Sequence, residues 1–279
     1  MILNTITQTP ALITPFDKEF EHCRARQTTL LKPQTTYTPQ DQSYAPTTTD
    51  DPAFPDDLLA KLRAAVSFPG KVLTCRDGDE YEHAVCTGNL LYARKRPAAV
   101  VITDKPEELG VVVKLARKYN IELTVKNGGH SYAGYSLNCG GILVFINTGK
   151  LGPDGITVDL QSTPKTVTIP AGCLWSNVHD HFRERGYNEM VIGGRCPTVG
   201  VSGFTLGGGV SPFSRGYGLG IDTVLKMNII TASGDFIEVH REDTDPKKKD
   251  LFWALRGGGG GKLRYPHRVY CPTSRSRSQ

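Results

Sequence analysis

The sequence contains no membrane-spanning run and no visible targeting signal. None of its 279 residues lies in a stretch approaching the roughly 18 consecutive apolar residues of a membrane helix. The first ten residues lack the basic and apolar regions of a secretory signal peptide. We therefore expect no membrane partner and a cytoplasmic location as written, or a secreted one if the start has been misassigned. The seven cysteines form no CxxC pair and leave the redox compartment open.

A basic surface is also missing from most of the chain. The formal net charge is +5, and the last 18 residues alone contribute five Lys or Arg side chains and no Asp or Glu. Without this tail the chain is close to neutral. A nucleic-acid partner is therefore not predicted.

The sequence offers no convincing metal or nucleotide-phosphate motif. His179 and His181 stand two residues apart in a predicted helix, about 200° around its axis, so they cannot easily share one ion. His83 and Cys86 supply only two ligands, too few for a zinc site. The glycine run 257–261 lacks Walker spacing and the Ser or Thr after its lysine. We predict no metal, and ordinary helix positions for both histidines.

What the sequence does contain is glycine, concentrated in two segments. The first reads KNGGHSYAGYS from Lys126 to Ser136, directly after a predicted strand at 121–125. Paired glycines let a backbone approach a ligand, and successive N–H groups can form an anion nest to which Lys126 would add positive charge. A neutral His130 has a lone pair for attack on an electrophile. A short GGH string alone fits a plain turn with a surface histidine, but the longer string favours a ligand site.

The second segment reads GGRCPTVGVSGFTLGGGVSPFSRGYGLG from Gly193 to Gly220. Each glycine inside a regular element costs about 0.5–1 kcal/mol, so a ligand pressed against the backbone is the natural explanation. Cys196 is a soft nucleophile, and its thiolate would be favoured near backbone N–H groups. A lone cysteine is more often an inert buried thiol. Its glycine-rich surroundings favour the ligand interpretation here.

The hydrophobic pattern predicts alternating helices and strands. We expect helices at 56–66, from Glu80 to about Thr87, from Pro106 with a cap at Thr103 or Asp104, at 174–185 and at 250–256. Strands are expected at 98–103, 121–125, 142–146, 156–160 and 166–170, with a hairpin at 224–240. The hairpins argue against a single doubly wound sheet.

The two glycine segments resemble the covalent flavin anchors of berberine-bridge-enzyme-like oxidases, in the vanillyl-alcohol-oxidase superfamily. The resemblance extends from about Leu73 to Gly261, including RPAAVV at 96–101 and DLFWALRGGGG at 250–260. It implies an α+β, two-subdomain, PCMH-type FAD-binding domain. It also implies that His130 bonds the flavin 8α-methyl carbon and that Cys196 bonds C6.

The same resemblance assigns a set of cofactor-binding residues from both segments and the strand that follows. They are Lys126, Asn127, Gly128, Gly129, His130, Ser131, Gly134, Ser136, Gly194, Cys196, Pro197, Thr198, Val199, Gly200, Gly203, Gly207, Gly208, Gly209, Tyr217, Gly218, Asp222 and Ile230.

The resemblance also suggests that the substrate half is largely missing. Relatives continue after the glycine run with Asn-Phe-Gly and an apolar strand, whereas residues 262–279 here form a basic tail without periodicity. We expect a frame change, a retained intron or a mis-spliced gene model near codon 261. The expected domains are an irregular N-terminal arm at 1–52, an FAD-binding domain at 53–261 with its core from about 93, and the aberrant tail.

The implied activity is oxidation of an alcohol, sugar or alkaloid-like small molecule by hydride transfer to flavin N5, with O₂ as acceptor. No residue is assigned as catalytic base. By resemblance Val199 lies near the oxygen-reactive edge, where its short side chain favours an oxidase. Two alternatives remain: a non-catalytic flavin-binding fragment, and a flavoprotein linked through His130 alone.

Overall fold

Two larger β-sheets and the helices packed on them organise the chain. The computed structural model describes residues 2–8, 11–12, 54–68, 70–103, 105–146 and 155–259. In chain order the strands are β1 (Ile2–Gln8), β2 (Ala11–Leu12), β3 (Lys71–Leu73), β4 (Ala99–Ile102), β5 (Leu123–Lys126), β6 (Ile142–Phe145), β7 (Thr157–Asp159), β8 (Thr166–Pro170), β9 (Glu189–Met190), β10 (Val224–Ile230) and β11 (Phe236–His240). The α-helices are α1 (Asp56–Ala65), α2 (Gly78–Val85), α3 (Pro106–Lys118), α4 (Trp175–Glu184), α5 (Val201–Leu206), α6 (Ser214–Tyr217) and α7 (Pro246–Leu255).

The first sheet has the order β3–β4–β6–β5, with β6 parallel to both β4 and β5. Its central strands are buried on both faces, which explains their unbroken apolar sequences. Val101 and Val144 join the main core, whereas Val100 and Leu143 face a second, smaller core with α2. This sheet carries the first glycine segment at the end of β5.

The second sheet has the order β11–β10–β1–β8–β7 and is antiparallel throughout. Helix α3 packs between the sheets, because its buried face of Leu109, Val112, Val113 and Ala116 lies in the main core that both sheets share. The sheet also holds the end of β8, from which the chain leads into α4 and the second glycine segment.

Most of the predicted elements are confirmed, including the 224–240 hairpin and the apolar face of α3. The helix expected at 250–256 instead begins at Pro246, where the Asp245 side chain accepts the Lys247 N–H. The N-cap residue of α3 is Lys105 rather than Thr103 or Asp104, and the Lys105 N–H donates to the Thr103 hydroxyl.

The expectation of an irregular arm over residues 1–52 is wrong at residues 2–8. These residues form β1 in the middle of the second sheet, between β8 and β10. Its β-branched residues suit a strand, and pairing with partners far along the chain fixes it there. Most of the remaining arm, and the tail at 262–279, lie outside the described residues.

Among the described helices, none combines the length and apolarity needed to cross a bilayer.

Candidate functional site

The first glycine segment turns sharply where β5 ends. Gly129 has φ of +73°, in the left-handed region that favours glycine. A Cβ atom on Gly128 would stand 2.3 Å from the Thr198 carbonyl oxygen and 2.8 Å from the Gly200 nitrogen. The first segment therefore touches the second directly, and glycine is required at that contact.

The contact is reciprocal. A Cβ atom on Gly200 would stand 2.4 Å from the Asn127 side chain. The Asn127 amide nitrogen donates to the Ala171 carbonyl at 2.7 Å and to the Cys173 carbonyl at 3.1 Å. Asn127 thus joins both glycine segments to the loop that follows β8.

This interlocking brings His130 and Cys196 to one hydroxyl group. His130 Nε2 lies 2.9 Å from Thr198 Oγ1, and Cys196 Sγ lies 3.5 Å from the same oxygen. His130 is exposed, Cys196 is half-buried, and the Cys196 thiol is free. Although the residue is exposed overall, neighbouring atoms partly desolvate the imidazole, which lowers the pKa of His130 and favours its neutral form near pH 7. Two nucleophilic side chains from separate segments therefore share one site.

Lys126 occupies a different place from the one expected. Its side chain is buried beneath the turn, where Nζ donates to the Ala84 carbonyl at 2.7 Å and lies 4.5 Å from the Phe145 ring centre. Burial lowers the pKa of Lys126 to about 8. Because Lys126 Cε would stand 2.8 Å from a Cβ on Gly129, the lysine stem supports the turn from below.

Helix α4 supplies a platform that the sequence did not reveal. The fully buried Trp175 lies under Gly193 and Gly194, where added Cβ atoms would approach its ring within 2.3 and 2.8 Å. His179 stacks on Trp175, and its Nε2 lies 3.1 Å from the Gly194 carbonyl. Interpreting His179 as an ordinary helix residue therefore missed its support of the loop that carries Cys196. The spacing of four residues between Trp175 and His179 was the available signal.

The later candidates pack behind the second segment. Gly209 has φ of +75°, and its carbonyl accepts the Gly220 N–H at 2.8 Å. Asp222 accepts the Leu219 N–H and forms an ion pair with Arg256 at 2.7 Å. Ile230 is buried inside β10, paired with β1 and β11.

The remaining candidates have local roles or open surroundings. The Ser131 hydroxyl accepts the Tyr135 N–H at 3.1 Å. Gly134 has φ of +66° and packs on the Tyr92 ring. Gly203 and Gly208 face open space, in which an added Cβ would meet no atom within 4 Å. Pro197 accepts the Ser176 N–H, Gly207 ends α5, and Tyr217 and Gly218 close α6.

Several polar groups of the two glycine segments have no partner within the described residues. They include the backbone N–H groups of residues 128–131, the Asn127 Oδ1 atom, and the buried hydroxyls of Ser136 and Thr205. Unpaired N–H groups on a glycine turn form the kind of concavity that binds anions. The first glycine segment thus offers unpaired donors next to His130, one of the two nucleophiles.

Comparison with known proteins identifies the family of the chain. Residues 97–240, just over half of the chain, match the model of a family described as an FAD-binding domain. The chain belongs to this FAD-binding family.

The relatives of this FAD-binding chain are oxidoreductases. An FAD-linked oxidoreductase, easE, of Arthroderma otae is 38% identical over 173 residues, covering 59% of this chain and 27% of that protein. The reticuline oxidase of Eschscholzia californica is 32% identical over 166 residues, covering 60% and 29%. The chain therefore spans less than a third of the length of these two relatives.

Solved structures place the fold in the same group. A berberine bridge enzyme variant in complex with (S)-reticuline superposes with a TM-score of 0.63 at 28% identity, covering 75% of this chain and 41% of that one. The glucooligosaccharide oxidase of Acremonium strictum, described with a 6-S-cysteinyl, 8α-N1-histidyl FAD, gives 0.60 at 26% identity, covering 73% and 40%. The family resemblance and the α+β, PCMH-type fold are confirmed.

Proposed function

We propose that this chain is the flavin-holding part of an oxidase and binds FAD covalently through His130 and Cys196. The observation that carries the proposal is the convergence of both side chains on the Thr198 hydroxyl, at 2.9 and 3.5 Å. A buried inert thiol or a surface histidine would not require two glycine segments to interlock.

The residues present fit the cofactor. The unpaired N–H groups at 128–131 suit a pyrophosphate, and the open faces of Gly203 and Gly208 leave room for a flat ring system. No metal is proposed.

The geometry favours one nitrogen of His130 for attachment. Its Nε2 is engaged with Thr198, which leaves Nδ1 as the nitrogen available for a bond. Nδ1 is the atom called N1 in the histidyl linkage of the glucooligosaccharide oxidase. The agreement supports attachment through His130 Nδ1.

FAD held at this site would supply the acceptor, at its N5 position, for a hydride from an alcohol, sugar or alkaloid-like substrate, with O₂ as the final oxidant. The part of this chain is to hold the ring rigidly and to exclude water behind it. Val199 is half-buried, and its N–H donates to the Cys196 carbonyl, so its short side chain lies beside the second anchor.

Replacing Val199 by Leu should slow reoxidation, because the longer side chain narrows the approach of O₂. Flavin bound to the purified chain can be reduced photochemically, without any substrate, and mixed with oxygenated buffer while its absorbance is followed. A parent protein that reduces dyes but ignores oxygen would contradict the oxidase assignment.

The decisive experiment is the intact mass of the denatured chain after expression with riboflavin, followed by peptide mapping. We expect one FAD joined to the peptides that contain His130 and Cys196. His130→Ala and Cys196→Ala should each keep a single bond, and Cys86→Ala, at an exposed free thiol, should keep both. An unmodified mass after incubation with FAD would overturn the proposal. Attached FAD without peroxide production on an alcohol and sugar panel would favour the non-catalytic alternative.

A further inference from the structure

Thr198 is placed to influence both anchors at once. Its hydroxyl lies within hydrogen-bond distance of both His130 Nε2 and Cys196 Sγ. Its backbone is held by the opposite segment, because its carbonyl packs against Gly128. The hydroxyl is therefore a fixed point between two side chains.

A hydroxyl carries one proton, so it can donate to only one of its two neighbours. In one arrangement, the His130 Nε2–H donates to Thr198, and Thr198 donates to the Cys196 sulfur. In the reverse arrangement, the thiol donates to Thr198, which donates to Nε2, and the imidazole proton sits on Nδ1. Only the first leaves the Nδ1 lone pair free.

Donor strength selects between these arrangements. An imidazole N–H and a hydroxyl are good donors, whereas S–H is a weak donor and a thiolate is a good acceptor. The chain that begins at the imidazole N–H and ends on sulfur uses each group in its stronger role. Because the neutral form of His130 is favoured, its ring carries a single N–H. The contact with Thr198 decides which ring nitrogen carries that proton.

We propose that Thr198 is a positioning residue that prepares both nucleophiles, fixing His130 as the Nε2–H tautomer and donating its hydroxyl proton to Cys196. The consequence for flavin attachment rests on the proposed function, whereas the hydrogen-bond arrangement does not. The His130 bond replaces one hydrogen of the flavin 8α-methyl group, and the Cys196 bond replaces the hydrogen on C6. In each case the nucleophile also loses one proton. The released electron pair reduces O₂ to H₂O₂, so no other reagent is needed.

The first test uses the full chain without flavin, produced in a riboflavin-starved host with ¹⁵N-labelled histidine. The ¹⁵N shifts of His130 should report a proton on Nε2 in the parent chain. Thr198→Val, which has the same shape without the hydroxyl, should give a tautomer mixture, and Thr198→Ser should restore the parent signature. A parent His130 protonated on Nδ1 overturns the proposal without any variant.

Cys196 provides a second readout in the same samples. Its iodoacetamide labelling at pH 7, followed by peptide mass spectrometry, is compared with the exposed Cys75 and Cys86 of the same molecule. We expect labelling to fall about tenfold in Thr198→Val, the size of a lost hydrogen bond to a charged acceptor, and to recover in Thr198→Ser. Equal labelling in all three chains, at equal melting temperature, would contradict the proposal.

Addition of FAD then separates the two hypotheses. If the parent chain gains FAD mass quickly and Thr198→Val slowly, both stand. If Thr198→Val gains FAD as fast as the parent, the role of Thr198 is refuted and the proposed function survives. If no chain gains FAD, the proposed function fails, and the tautomer and labelling data still decide the hydrogen-bond arrangement.

Discussion

At the scale of single residues, the site depends on Gly128 in the first glycine segment and Gly200 in the second, which pack against each other. Gly128 is the tighter position, since any side chain there meets backbone atoms of Thr198 and Gly200 that have no freedom to rotate away. Because backbone atoms are on both sides of this contact, the clash could be relieved only by a shift of one whole segment.

Gly128→Ala should therefore destabilise the fold by about 1–3 kcal/mol, as overpacking does, and should slow flavin attachment by moving His130 away from Cys196. Urea unfolding and the mass assay measure the two effects. Gly216→Ala is the matched control, because an added Cβ there meets nothing within 4 Å. Equal stability and attachment in both variants would mean that the interlocking is not required.

The sequence was informative about these residues to different degrees. Glycine and nucleophile patterns are local, so His130, Cys196 and their turns could be singled out from the string alone. The roles of Lys126 and His179 could not, because they depend on which neighbours the fold supplies. Lys126 donates to the Ala84 carbonyl and lies over the Phe145 ring, and His179 in α4 contacts the Gly194 carbonyl.

At the scale of elements, a buried carboxylate links three of them. Glu108, in the first turn of α3, accepts the Ser67 N–H at 3.0 Å and its hydroxyl at 2.6 Å, just after α1. It also accepts the hydroxyl of Thr103, just after β4, and pairs with Lys105 at 3.3 Å. Desolvation raises the pKa of Glu108, but the hydrogen bonds from Ser67, Thr103 and Lys105 outweigh it and hold the value at about 2.

This pKa fixes the sign of a pH dependence. The folded value lies below the usual 4.5, so the contribution of Glu108 is fully present above about pH 4.5 and is lost as the pH falls towards 2. Glu108→Gln should cost about 1–3 kcal/mol at pH 7, and less against the parent at pH 3. Unfolding titrations at both pH values measure this, with the exposed Glu107→Gln as control. A difference that grows on acidification would contradict the assignment.

Element boundaries were predictable where the pattern is periodic and unpredictable where contacts decide. The buried face of α3 repeats at helical spacing, whereas β1 is seven residues long and acquires its strand identity from β8 and β10, more than 150 positions away. The apolar pattern did not predict the first turn of helix α7, because that turn is a run of lysines with no apolar face.

At the scale of the whole molecule, β1 is the central strand of the second sheet and joins β10 to β8. Removing it would leave β8 and β10 as open edges in the sheet that packs against α3. The two glycine segments arise from different sheets, the first from β5 and the second beyond β8. Their meeting therefore requires both sheets to hold their places around the main core, to which Ile6 contributes a fully buried side chain.

Ile6→Ala should thus lower stability by about 2–5 kcal/mol, through the lost apolar contact and the cavity left behind. It should not alter the chemistry of the site in the molecules that remain folded. The exposed Val111→Ala, at 44% exposure, is the control and should change stability by less than about 0.5 kcal/mol. Thermal melting measures the stability, and the rate of FAD attachment per folded molecule measures whether the site still works. Thr198→Val is expected to show the opposite pattern, with near-parent stability and slow attachment. If Ile6→Ala also slowed attachment in its folded fraction, the site would depend on the exact placement of the second sheet rather than on local contacts between the segments.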